Sequence, residues 1–371
     1  MNNERRLRIM VDCHKFDEDY QGITTYIEGL YKKLVEQETI VFYFAARNIN
    51  KLKETFGEKD NIKYIKLNYR NKWLRLLIDF PRIITLHKID FAHFQYIVPP
   101  FKFCKYINTI HDVLFLDYPV FFNRKYILKN KFLFKASSKL SDVVLTVSNY
   151  SKERIISNFK LNKPVFVTPN AVNEVYYQKY NKEEIQTNLN KKYNLQKYFL
   201  LVSRIEPRKN HLLLLKTFIE KAYYKDYDLV FVGKKDLDYK ELEVFLSNQT
   251  KEVKEKIYFF DHVNNTELLD LIRGAELSVY PSLAEGFGIP PLETLAANIP
   301  TVCSNTTAMK DFSFLKEYQF NPEDSNDLAG KIYFALHNKE ILPLIKEMKT
   351  KYNWETSANK YLEAIRFKNP N

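Results

Sequence analysis

Glu285 and Glu293 stand eight positions apart, and between them lies Gly286-Phe-Gly-Ile-Pro-Pro-Leu292. Carboxylates of this kind suit the grip of sugar or ribose hydroxyls, which donate to them. Gly286 and Gly288 bracket Phe287 and let a ligand approach the backbone closely. Ahead of the loop, residues 277–280 form a short β-prone run, and behind it Pro290 and Pro291 fit the first positions of a helix, where a missing N–H costs nothing. The order is strand end, glycine loop, helix start. Amides there point at a ligand with the positive end of a helix dipole behind them, a setting for a phosphate or a hydroxyl. A tight loop with an acidic helix start is the plainer alternative for two glutamates, but the enclosed glycine and proline pairs favour a binding loop.

Other groups with chemical potential also follow β-prone runs. Arg204, Arg208 and Lys209 cluster after the run 198–202, where fixed cations can neutralise a diphosphate and stabilise it as a leaving group; a solvated charge cluster is the other reading. His111-Asp112 closes the run 106–110, at the edge where α/β sites gather, and the imidazole either packs or lines a site. Asp236 and Asp238 form an Asp-x-Asp before a helix, assigned to helix capping, so no metal is called for. Gly22 opens a helix after the first strand but does not complete G-x-G-x-x-G, which leaves a dinucleotide cofactor unsupported. Cys13, Cys104 and Cys303 make neither a disulfide framework nor a C-x-x-C pattern.

These groups must be positioned by two alternating α/β patterns. The 371 residues, 45% hydrophobic and 27% charged, are enough for two cores. Runs at 8–12, 40–44, 90–94, 106–110, 142–146 and 165–167 read as strands of one mostly parallel sheet with amphipathic segments between them. The pattern restarts at 198–202, 229–232, 257–260, 277–280 and 301–303. Polar residues 181–192 lack apolar periodicity and read as the linker region, placing the domain boundary near 170–195. The expected division is 1–175, 176–352, and a final helix from 353–371 that crosses back to the first domain. A cleft between two such units is the default ligand site.

Charge is uneven. Residues 1–170 carry 29 Lys+Arg against 17 Asp+Glu, whereas the remainder is balanced at 28 and 28. A basic first half implies an acidic partner. Segments 71–80 and 118–140 interleave lysine and arginine with bulky apolar groups, as a helix resting on an anionic bilayer does; an amphipathic helix with a solvated basic back is the alternative. No nucleic-acid-binding signature accompanies the charge. The opening residues lack an apolar export segment and no run approaches a membrane span, so the expected location is cytoplasmic, with peripheral contact at the inner face of the membrane.

In the element Glu285-Gly-Phe-Gly-Ile-Pro-Pro-Leu-Glu293 the chain resembles the retaining glycosyltransferases of family four, whose hallmark is E-x7-E. The resemblance extends through Thr109-Ile-His-Asp112, Val147-Ser-Asn-Tyr-Ser151, Val167-Thr-Pro-Asn170 and the R-x4-K pair Arg204 and Lys209, covering nearly the whole chain in the family's order. It implies the GT-B fold, an α/β architecture of two doubly wound Rossmann-like domains facing a cleft. It also implies a nucleoside-diphosphate sugar donor, a glycan or lipid-linked acceptor, and neither cofactor nor metal.

Carried over residue by residue, Arg204 and Lys209 hold the diphosphate, with Arg208 turned away, and Gly286 and Phe287 offer amides. Glu285 grips the sugar and Glu293 the ribose. His111 lines the acceptor side, and Gly22, Gly233 and Gly288 lie where the backbone approaches the donor. Val263 offers backbone groups to the base, although Asp261 stands where the family usually has glycine. The function implied is retaining transfer of a sugar to a hydroxyl in surface polysaccharide synthesis. A GT-B epimerase, which needs no acceptor, and a non-catalytic basic membrane-binding module are the alternatives.

Overall fold

The computed structural model describes residues 5–18, 22–235, 237–338 and 340–368. The chain divides into two compact units, Met1–Ala171 with Tyr352–Asn371, and Val172–Lys351. The division falls a few residues ahead of 175/176, and the final segment is part of the first unit.

The first unit holds seven strands: β1 (Leu7–Asp12), β2 (Ile40–Ala46), β3 (Ile62–Lys66), β4 (Phe91–Gln95), β5 (Lys105–Thr109), β6 (Val143–Thr146) and β7 (Val165–Val167). They pair in the order β3-β2-β1-β4-β5-β6-β7, every pair parallel. Central strands are continuous apolar runs because helices cover both faces of a parallel sheet. β3 is absent from the sequence reading; it is an edge strand whose Lys63 and Lys66 are exposed, so its apolar content is low.

Helix α1 (Gly22–Leu34) turns Tyr26, Ile27, Leu30, Tyr31 and Leu34 inward at helical spacing. The final helix, Trp354–Phe367, is capped by Asn353 and packs on α1. Its Trp354 ring lies where a Cβ on Gly29 would be, 2.0 Å away, so only glycine permits this approach. At the centre, the Tyr31 hydroxyl bonds His93 Nδ1 at 2.6 Å and the Tyr361 hydroxyl at 2.8 Å. Those buried polar groups satisfy one another while their rings add core area.

The second unit pairs β8 (Tyr198–Val202), β9 (Asp228–Val232), β10 (Ile257–Phe260), β11 (Leu277–Tyr280), β12 (Thr301–Ser304) and β13 (Gln319–Phe320) in the order β10-β9-β8-β11-β12-β13, again all parallel. β13 spans only two residues, too few for a periodicity to register.

Two local expectations are corrected. The polar stretch 181–192 is a helix, Lys182–Tyr193, with Asn181 accepting from the Glu184 amide and Asn194 closing it in a left-handed conformation. Its buried apolar contact is chiefly Leu189, and polar anchors do the rest: Lys182 and Gln186 donate to the carbonyls of Ala275 and Gly274. Asp238 does not cap the helix Lys240–Ser247, whose N-cap is Tyr239; Glu241 and Glu243 supply the acidic first turn, and Asp236 lies outside the described residues. At the head of the helix His211–Glu220, the Asn210 side chain makes no cap and donates to the Pro322 carbonyl.

Segments 71–80 and 118–140 mix polar and apolar groups on both their buried and their exposed sides. A short turn, Lys72–Leu74, widens into a π turn at Arg75–Asp79 that buries Arg75, Leu76 and Asp79 while Trp73, Leu74, Leu77 and Ile78 are exposed. Asp79 is held by the amides of Asn68 and Tyr69. The helix Arg124–Leu140 buries Asn130, Phe134, Ser137 and Ser138 and exposes Leu128 and Phe132 at 71% and 72%. No helix among the described residues is long and apolar enough to cross a membrane.

Candidate functional site

In the second unit, β11 ends at Tyr280 and the chain turns through 281–288 into the helix Ile289–Ala296. Gly288 heads that helix at φ +96°, and a Cβ there would lie 3.0 Å from Met309 Cγ, so this position calls for glycine on two counts. Pro290 and Pro291 occupy the first turn. Hydroxyls from the next strand stitch the loop in place. Ser304 Oγ donates to the Ser282 carbonyl at 2.7 Å, and the Glu285 amide donates to Thr307 Oγ1 at 2.8 Å. Phe287 is buried with its ring edge-on to Phe312 at 5.7 Å, which anchors the loop from below.

The loop presents Glu285 to the cations that follow β8. Lys209 Nζ donates to one carboxylate oxygen at 2.5 Å, and Arg208 Nη1 reaches the other at 3.3 Å while also donating to the Ala284 carbonyl. Arg208 therefore faces the loop, contrary to the expectation that it turns away; Glu206 braces it on its other side. Burial alone would raise the Glu285 carboxyl, but Lys209 and Arg208 beside it bring it down to about 2. It is an anion at neutral pH with two cations in contact. Arg204 is exposed two residues beyond β8, beside the turn after β9.

Gly233 ends β9 at φ +147°, and a Cβ there would sit 2.1 Å from the Ser203 carbonyl oxygen. The close approach of the β8 and β9 ends thus depends on a missing side chain. Beside it, Ile205, Gly233, Tyr239, Leu242, Phe259 and Asp261 line a cavity of about 320 Å³. Asp261, not Val263, stands in its wall; Val263 packs partly buried against the core. Glu293, on the helix behind the loop, meets the Tyr176 hydroxyl. Burial raises its carboxyl to about 7, with the Tyr176 hydrogen bond pulling the other way.

The first unit positions His111 at the carboxyl edge of β5. Its Nε2 pairs with Gln95 Oε1 at 2.8 Å, and since the amide oxygen accepts, Nε2 carries the proton and Nδ1 is left an acceptor. The rings of Tyr26 and Tyr96 lie 5.1 and 5.4 Å away. Burial lowers the imidazole to about 3, so it is neutral at physiological pH and can act only through hydrogen bonds. Asp112 turns aside to the Leu114 amide at 3.1 Å. Gly22 is the first residue of α1, with open space where a Cβ would be.

Several contributors were not singled out from the sequence: Gln95, which orients His111; Thr307, which fixes Glu285; and Tyr176, which meets Glu293. Gln95 was within reach, since it ends β4 beside the strand that carries His111. Thr307 and Tyr176 are far from their partners along the chain and carried no local signal. Among the described residues, no three His, Cys, Asp or Glu side chains group as metal ligands would.

Comparison with known proteins agrees with a fold of two parallel-sheet α/β units. The family model described as glycosyl transferases group 1 matches residues 181–353, and that described as glycosyltransferase family 4 matches residues 20–175. The O-antigen chain mannosyltransferase RfbU of Salmonella typhimurium is 32% identical over 240 residues, covering 63% of this chain and 61% of that protein. The O-antigen chain mannosyltransferase B of Escherichia coli is 24% identical over 371 residues, covering 93% and 96%. Among solved structures, a glycosyltransferase from Rickettsia africae superposes with a TM-score of 0.72 at 17% identity, covering 99% of this chain and all of that one; at that identity the likeness concerns the fold.

Proposed function

The chain belongs to the family four glycosyltransferases of GT-B fold, and from that premise we propose that it moves a hexosyl group from a nucleoside-diphosphate sugar to a hydroxyl of a glycan or lipid-linked acceptor in surface polysaccharide synthesis. The observation that carries this reading is the Lys209–Glu285–Arg208 contact on a loop pinned by Gly288 and Thr307. A buried carboxylate kept ionised can accept from sugar hydroxyls, while Arg204 and Lys209 meet the donor's diphosphate and stabilise it as it leaves. Gly286 and Phe287 present the loop backbone to the phosphates, and Glu293 meets the ribose. The anomeric configuration is retained: the leaving phosphate oxygen takes the acceptor proton on the face from which the bond breaks. His111, neutral, orients the acceptor or the sugar by hydrogen bonds. No step calls for a metal or cofactor.

Mannosyl donors are the first to screen, because the relatives named above are mannosyltransferases. Glu285→Ala and Arg204→Ala should each abolish transfer while leaving the melting temperature within a few degrees of wild type. Unchanged turnover in either would reject the assignment, and turnover of a sugar nucleotide with no acceptor present would point to an epimerase instead.

A peripheral membrane location is supported by a separate observation. Leu128 and Phe132 project from a helix whose Arg124, Lys125, Lys129 and Lys131 are also exposed, and Val120 just before it is 82% exposed. Apolar groups among cations suit an anionic bilayer surface. The protein should float with anionic vesicles at low salt and lose that association in high salt; recovery in the soluble fraction at low salt would count against membrane contact.

A further inference from the structure

A cavity of about 830 Å³ in the first unit is lined by five cations, Lys15, Arg47, Arg70, Lys72 and Arg75. Three carboxylates share the lining, and each is already engaged. Asp12 holds His14 at 2.8 Å, Glu18 holds Lys15 at 2.8 Å, and Asp17 accepts from the amides of Arg47 and Asn48. Among the described residues this leaves Arg47, Arg70, Lys72 and Arg75 with no carboxylate partner.

Arg75 is the most telling of the four. It is 9% exposed, one of its Nη atoms donates to the Arg70 carbonyl, and its Nε has no hydrogen-bond partner among the described residues. The carboxylates near enough to act on it, Asp12 and Glu18, are already paired with His14 and Lys15, and a buried guanidinium with no carboxylate in contact is costly and makes sense where an anion completes it. Lys72 feels the same surplus. Burial, then Lys129, Arg75 and Lys15, lower its ammonium to about 8.

The rest of the wall adds two features. On the inner side stand Gln95 and Tyr96, both in contact with His111; Tyr96 is held at φ +64°, a left-handed conformation rare for a bulky residue, and stacks on Phe134 at 4.8 Å. On the other side, the segments that supply Lys72, Arg75 and Tyr126 are the same two whose apolar side chains face outward: Trp73, Leu74, Leu77 and Ile78 from one, Leu128 and Phe132 from the other. The cavity thus joins polar groups that contact His111 to cations carried by a segment that also exposes apolar side chains outside the lining.

We propose that this cavity binds the diphosphate of a lipid-linked acceptor, with Arg70, Lys72 and Arg75 on the phosphates, the exposed apolar segments beside the lipid, and the sugar toward Gln95 and Tyr96. This rests on the transferase reading for the word acceptor, but the binding site stands on the first unit alone. The two negative charges of a diphosphate esterified at both ends meet an excess of positive charge in this lining, and Arg supplies forked donors suited to phosphate oxygens.

The test uses the full chain saturated with whichever nucleoside diphosphate most raises its melting temperature, so that the second unit's anion site is filled. Geranyl diphosphate is then titrated calorimetrically. One site is expected, weakened at least tenfold in Arg70→Ala/Lys72→Ala, both surface changes, with nucleotide affinity retained as the control for folding. Geranyl monophosphate should bind more weakly and geraniol not measurably. The proposal is overturned if the saturated protein does not bind geranyl diphosphate or if the double substitution leaves binding intact. It is equally overturned if inorganic pyrophosphate binds as tightly, which would mean a free-anion site, or if phosphatidylglycerol vesicles displace the ligand, which would mean a bulk headgroup site. Failure of the transferase reading would appear separately, as unchanged turnover in Glu285→Ala.

Discussion

The two units bury titratable groups at the carboxyl edges of similar parallel sheets and obtain opposite charge states. At His111 in the first unit burial decides: it has a hydrogen-bond partner but no carboxylate paired with it among the described residues, and it is held neutral. In the second, burial is overruled at Glu285, where Lys209 and Arg208 keep the carboxylate ionised. Glu293 shows what happens in the same unit without cations: a single tyrosine hydroxyl does not offset burial, and the carboxyl rises to about 7. Being buried therefore says little about charge until the contacting groups are counted. One unit holds a charged site ready for developing charge; the other holds a neutral imidazole beside a cationic cavity.

The sharpest way to break this contrast is to remove the nearer cation. Lys209→Ala should lower turnover on the order of 10³-fold, since it removes both the proposed diphosphate contact and the partner that keeps Glu285 charged. The acid limb of its pH–rate profile should also move upward as the Glu285 carboxyl rises. A profile with the wild-type acid limb would mean that Lys209 does not set the charge of Glu285.

Glu293 offers the next largest effect, and its sign follows from its direction of shift. Its folded-state value is above the ordinary 4.5, so its contribution to stability is fully present below about 4.5 and is lost as pH rises through about 7. Glu293→Gln should then match wild type at pH 4.5 and melt higher at pH 8, by at most about 3 kcal/mol from a shift of this size. An apparent pKa near 7 in nucleotide binding should vanish in Glu293→Gln and persist in His111→Ala. The reverse pattern would place the titrating group in the first unit.

Two glycines give the smallest and most local comparison. Gly233→Ala should destabilise by about 2 kcal/mol or more, because the methyl meets the Ser203 carbonyl in a left-handed backbone. Gly22→Ala, with open space around it, should change stability by less than about 0.5 kcal/mol in thermal denaturation. Equal effects would mean that the β8–β9 approach is not constrained as described.

Much of this was legible along the chain where a property is local. Strands such as β1, β8 and β11 announce themselves as apolar runs, and the loop from Glu285 to Glu293 carries its own turn chemistry in glycine and proline. What escaped was marginal in length or apolarity: β3 with its exposed lysines, the two-residue β13, and the helix Lys182–Tyr193, which is anchored by polar groups on another element. Arg208 was misjudged because a side chain's direction depends on what lies across from it, here the Ala284 carbonyl and Glu285, 76 and 77 positions away.

By itself, the order of residues determined two α/β units, the strand ends that carry the candidate site residues, and the glycine loop between Glu285 and Glu293, since each depends on near neighbours in the chain. Only the tertiary structure decided which of those groups are charged, that Gln95 orients His111, and that four cations of the first unit share a cavity without carboxylate partners among the described residues. Charge state and pairing depend on distances between elements remote in sequence and on the water that folding removes from around them.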